Sequence, residues 1–169
     1  MVSAQASKAV KPVKVDAVEE DYESSLYGAR PKIPPSRRRQ QSEETLLNEI
    51  FENIVDSCIK FDKQKIFVSA VKKKDAPNYY EMILQPIDLT QMKNKAKRLE
   101  YLSKNQFLSD FYLLRANAQT YNGQFAHITK QAYDLVEHSE QKLGEVANDV
   151  ANFELLVKEK IDQGFIKMQ

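Results

Sequence analysis

Apolar residues recur at helical spacing in four blocks of this chain, and no segment reads convincingly as a half-buried strand. The first block, SEETLLNEIFENIVDSCIKF, puts Leu47, Phe51, Ile54 and Cys58 on one stripe, widened by Leu46, Ile50 and Val55. Ser42 stands at the N-cap position, and Glu43 and Glu44 suit the positive end of the helix dipole. The second, DLTQMKNKAKRL, steps through Leu89, Met92, Ala96 and Leu99, with Asp88 as its cap. The third runs from Ser103 to Tyr121 on Phe107, Phe111, Leu114, Ala118 and Tyr121, and Ser103 with Gln106 fits a capping box. The fourth opens with Ile128, Ala132, Leu135 and Val136 and carries its stripe through Leu143, Val146, Val150, Phe153, Val157 and Ile161. Gly144 is expected to dent that helix without ending it. Each stripe must be buried, and with no sheet to cover them the helices bury one another, so the fold class is all-α, a helical bundle.

Two of the connections are short and one is long. The stretch from Asp62 to Asp88, DKQKIFVSAVKKKDAPNYYEMILQPID, has no sustained period and holds Pro77 and Pro86. So long a connection inside a compact domain is usually functional. Its apolar residues, among them Ile66, Phe67, Val68, Val71, Tyr79 and Ile83, argue that it packs on the bundle. In an up-down bundle this loop and the turn after the third helix share one end, where a cleft between loops can form.

Both ends of the chain differ from the bundle. Residues 1–41 carry Pro12, Pro31, Pro34 and Pro35 among charged and small residues, and are expected to form a disordered tail. That tail ends near Arg37-Arg38-Arg39, a basic run that reads as a solvated linker, with a nuclear-import or phosphate contact as the alternative. Residues 144–169 are expected to extend the last helix, with a face that projects or meets a partner, and to end in a C-terminal tail.

The composition narrows the chemistry. One cysteine excludes an intramolecular disulfide and fits a reducing compartment. With only His127 and His138 beside it, no zinc site is expected, and no cofactor is implied. A net charge of +1 gives no electrostatic case for direct nucleic-acid binding. No apolar run approaches the ~20 residues that span a bilayer, so no membrane association is expected. The chain has no G-x-S-x-G, P-loop or H-E-x-x-H, and Cys58 sits on a core stripe, so no catalytic residue and no enzyme are expected.

Two segments, PNYYEMILQPIDL from Pro77 and NAQTYNG from Asn117, in this helix order and with this long first loop, resemble a bromodomain. The resemblance covers residues 42–143. It implies a left-handed antiparallel four-helix bundle that binds acetylated lysine. It implies that the Asn122 amide donates to the acetyl carbonyl, and that the Tyr79 phenol reaches the same oxygen through an ordered water. Phe67 and Val71 match apolar wall residues, Tyr121 the aromatic beside the asparagine, and Ile128 the residue gating the mouth. Ile66, Ala76 and Phe125 fall at the peptide rim. Lys65-Ile66-Phe67 stands where many family members have Trp-Pro-Phe, and Ala70 where a proline is common, so a less aromatic, looser shelf is expected. The Phe67-to-Pro77 spacing, the Tyr121-Asn122-Gly123 turn and the upstream arginines resemble the branch of the family found in transcription factor TFIID, with chromatin-remodeller bromodomains the nearest competitor. The implied partners are acetylated histone peptides or other acetylated proteins and the subunits of a transcription or chromatin-remodelling complex, in the nucleus. The alternative is a scaffolding bundle with a degenerate pocket that holds partners through its long last helix.

The chemistry of such a pocket follows from first principles. Acetylation converts an ammonium to a neutral amide. An apolar pocket with one amide donor accepts that group and excludes an unmodified lysine, whose charge would lose its hydration.

Overall fold

The computed structural model describes residues 41–166. The expected N-terminal tail, Gln41 apart, lies outside the described residues, as do Arg37-Arg38-Arg39 and residues 167–169. Six helices and no strand occur among the described residues: α1 Glu43–Phe61, α2 Tyr79–Met82, α3 Leu89–Lys97, α4 Lys104–Asn122, α5 His127–Glu145 and α6 Ala147–Asp162.

The helix starts lie where side-chain caps put them. Ser42 accepts from the Thr45 N–H at 3.4 Å, Asp88 from the Gln91 N–H at 2.9 Å, and Ser103 from the Gln106 N–H at 3.3 Å. The Gln106 side chain reaches back to the Leu102 N–H at 2.8 Å, one residue earlier than a capping box prescribes. The second helix stops sooner than its stripe suggested. It ends at Lys97, and Leu99, expected as its last apolar step, is 39% exposed at φ 58°.

One apolar core joins α1, α3, α4, α5 and α6. Phe51 and Phe107 stack at 4.4 Å between centroids, and Tyr101 meets both rings edge-on. Asn48 is buried in this core, yet all of its amide is used: Nδ2 donates to the carbonyls of Glu44 and Tyr101, both at 2.8 Å, and Oδ1 accepts from the Tyr101 N–H. A buried amide left unpaired costs ~1–3 kcal/mol, which explains a polar residue being held here.

The last helix is not continuous. Val146 leaves helical geometry at φ −121° and ψ 19°, and the chain restarts as α6. That helix packs against α1 and, less extensively, α5, and Val150 and Val157 enter the main core at 1% and 0% exposure. Lys160 near its end bridges Glu43 and Glu44 at the start of α1, and Glu154 accepts from the Lys104 N–H. Over the described part of residues 144–169, the chain does not continue the last helix outward but starts a new helix that folds back on α1. The stripe from Val146 to Ile161 belongs to the same molecule's core, because breaking the helix at Val146 lets its apolar face return to α1.

Candidate functional site

The loop between α1 and α3 has a shape of its own. The N–H of Phe67 donates to Asp62 Oδ2 at 2.7 Å, and its carbonyl accepts from the Leu89 N–H at 2.9 Å. The Val68 carbonyl accepts both the N–H and the hydroxyl of Thr90. This stretch is the shelf expected to be loose without Trp and Pro. Hydrogen bonds tie it to the end of α1 and the start of α3.

Further along, the loop builds a small core of its own from Ala76, Tyr79 and Ile83, with Val71 and Tyr121 against it. Asn78 takes φ 59°, a left-handed conformation that asparagine tolerates, and turns the chain into α2. Tyr80 donates to the Val71 carbonyl at 2.6 Å and serves as an anchor of the loop. Asn117 of α4 donates to the Gln85 carbonyl at 2.8 Å and holds the end of the loop against the bundle.

Opposite the loop, α4 ends on Asn122. Its Nδ2 donates to the Ala118 carbonyl one turn back at 2.9 Å. A carboxamide has two N–H donors and an acceptor oxygen, so this bond orients the group and leaves further hydrogen-bonding capacity. Gly123, at φ 87°, supplies the break that stops the helix. The buried Thr129 hydroxyl on α5 then reaches the carbonyls of Ala118 and Gly123, at 3.2 and 2.7 Å, and fixes the turn.

Between loop and helix lies a cavity of about 410 Å³. Ile66, Phe67, Val71, Ala76 and Tyr79 line it from the loop; Tyr121 and Asn122 line it from α4, and Ile128 from α5. Tyr79 is buried and packs edge-on to Tyr121 at 5.1 Å, while the Tyr121 hydroxyl donates to the Pro77 carbonyl at 2.9 Å. Burial raises the Tyr79 pKa above 10, helped by the neighbouring Tyr80 and Asp88, so the phenol keeps its proton at neutral pH. The wall is thus mainly apolar, and its polar members include the Asn122 carboxamide and the phenols of Tyr79 and Tyr121.

Phe125 stands apart from the other expected site residues. It is 96% exposed and does not line the cavity. Sequence reasoning passed over Ile87, Leu114 and Ala118, which also line the wall, and over Asp62, Asn117 and Thr129, which position it. Leu114 and Ala118 were visible as the α4 stripe, but a stripe does not say which of its residues face a cavity. Asp62 and Thr129 gave no signal, because their partners are backbone groups that only the fold brings near. His138 plays no part in the site: it stacks on Phe61 and hydrogen-bonds Ser57 at 2.9 Å.

A helical bundle with a long, tethered first loop and an asparagine at the end of the third long helix is the architecture of one known class of module. The bromodomain pattern matches residues 49–134, and the chain belongs to the bromodomain family. It is similar to Transcription initiation factor TFIID subunit 1 of Oryza sativa subsp. japonica, with 32% identity over 127 residues, 75% of this chain and 7% of that protein. The protein of the same name from Arabidopsis thaliana is 36% identical over 90 residues, 53% of this chain and 5% of the relative. SAGA complex subunit Spt7 of Schizosaccharomyces pombe is 29% identical over 115 residues, 68% of this chain and 12% of its own length. The chain therefore spans only a small part of the curated relatives it matches. The first two relatives carry by name the TFIID branch that the loop spacing and the asparagine turn resembled.

Proposed function

We propose that this domain is an acetyl-lysine reader in a nuclear transcription or chromatin complex. The observation that carries the reading is the Asn122 carboxamide, oriented by Ala118, at the wall of a mainly apolar cavity opposite the tethered loop. In this reading the second Nδ2 proton of Asn122 donates to the acetyl carbonyl. Tyr79, protonated and in the same cavity, reaches that oxygen through a water. Phe67 and Val71 enclose the methyl group and the methylene stem, Tyr121 backs them, and Ile128 narrows the mouth. Ile66 and Ala76, also in the lining, meet the peptide at the rim, as does Phe125 from outside the cavity. The ligand is an acetylated protein segment, a histone tail or another acetylated protein. Membership of the family and the names of the relatives support the setting.

Selectivity follows from desolvation. Acetyl-lysine brings a neutral amide whose carbonyl takes the asparagine donor, whereas an ammonium would enter the pocket without an anionic partner. Leaving a buried donor unmatched costs ~1–3 kcal/mol, so one contact controls recognition. Calorimetric titration of acetylated and unmodified histone-tail peptides tests this with the wild-type chain and Asn122→Ala. The expected result is binding of the acetylated peptides alone and a loss of ~5- to 100-fold in the variant. Equal binding of both peptide forms, or an unaffected variant, overturns the reading.

A further inference from the structure

We propose that the segment this domain reads is acidic, not basic, on the residues flanking the acetyl-lysine. The inference rests on the reader function above and chooses between its two ligand classes. The first loop walls the cavity with Lys65 and Lys72, and Lys73 and Lys74 follow on an exposed turn. That turn is closed by the Asp75 and Ala76 N–H groups donating to the Lys72 carbonyl at 2.9 and 3.1 Å. Lys65 is fixed at φ 53°, its N–H bonded to the Asp62 carbonyl at 3.0 Å. None of these four lysines pairs with a carboxylate among the described residues, whereas Lys93, Lys95, Lys142 and Lys160 all do.

Countercharge at the mouth is sparse. Asp88 lines the cavity but is buried, and its oxygens accept from the backbone and side chain of Gln91 at 2.9 and 2.6 Å. Asp75 is the exposed carboxylate in the lining, and Glu81 is exposed on α2. Asp62 and Asp134 line a separate cavity that shares Phe67. Across the mouth, the first turn of α5 carries no acid, and His127 and Lys130 are exposed there.

Acetylation removes the charge of the mark itself, so its neighbours set the electrostatic match. A lysine- and arginine-rich tail would set like charges against Lys72, Lys73 and Lys74. Glutamate or aspartate at those positions meets them favourably. Exposed pairs are individually weak and screened over ~8–10 Å, so the effect is a preference of about fivefold between neutral and charged flanks.

The test uses three acetyl-lysine peptides of equal length with glutamate, glutamine or lysine on both sides of the mark, each beside its unmodified form. Affinities are measured at low and high salt. The expected order is glutamate, glutamine, lysine, with the spread shrinking in salt and reversing in the variant Lys73→Glu/Lys74→Glu. A flat or inverted order with acetyl dependence intact overturns this inference and leaves the reader function standing. Equal binding of acetylated and unmodified forms overturns the reader function itself. If the peptides show no order while a short DNA duplex binds in a way that needs the same lysines, the rim belongs to nucleic acid and the inference also fails.

Discussion

Asn122 is both the last residue of a helix and a wall of the cavity, and its hydrogen bond to Ala118 makes the two roles compatible. Its position depends in turn on Thr129, whose hydroxyl donates into the same turn from the facing helix. Thr129→Val keeps the shape and removes that donor, so the Ala118 and Gly123 carbonyls lose one of their hydrogen bonds while keeping those from Asn122 Nδ2 and the Ala126 N–H. The expected cost is ~0.5–1.5 kcal/mol of stability by chemical denaturation. Acetyl-peptide affinity is also expected to weaken, because the asparagine is less well held. Unchanged affinity at reduced stability would separate the turn from the site. At this scale the sequence was a partial guide. Tyr79, Asn122, Phe67, Val71 and Ile128 were legible as family positions and line one cavity. Asp62, Asn117 and Thr129 were not, since each bonds a backbone carbonyl or N–H, and every residue type offers those groups alike.

Helix α6 shows how far a periodic stripe can be read. Its apolar positions were plain, but the same pattern serves a helix that projects and one that folds back. The break at Val146 and the burial of Val150 and Val157 decide for the second. The clasp from Lys160 to Glu43 and Glu44 adds a pH dependence. The hydrogen bond from Lys160 holds Glu43 below its usual 4.5. For Glu44, burial acts upward but is outweighed by hydrogen bonds from Ser42, its own backbone and Lys160. A carboxylate with a lowered folded pKa stabilises fully above its unfolded value and loses that contribution as pH falls through the folded one. The Lys160 pKa is raised, chiefly by its hydrogen bond to Glu43, so its share is full below 10.5 and is lost as pH rises through the higher folded value. Melting from pH 7 down to pH 3 should therefore show a loss of stability below about pH 4.5 that is smaller in Lys160→Met. The difference between the two proteins at pH 7 should be about 1 kcal/mol or less, as for a partly exposed ion pair. Parallel pH profiles would mean the clasp does not contribute.

Among the described residues taken together, one core spans five helices while the first loop carries a smaller cluster of its own. Cys58 reports on the larger one. It is fully buried, and burial pushes its thiol up to about 12, so neither access nor thiolate is present in the folded state at neutral pH. Thiol labelling in a urea series should follow the loss of helical circular dichroism with the same midpoint. Labelling well before that midpoint would show that α1 opens apart from the rest.

The sequence alone determined the helical class, the caps at Ser42, Asp88 and Ser103, and the family, because periodicity, caps and short motifs are local properties written in neighbouring residues. The ends of α3 and α5, the return of α6 to α1, the tethered shelf, the cavity and the lysines around its mouth were settled only by tertiary structure. Each depends on which groups meet across long stretches of chain, and contact energies between distant residues leave no period to read.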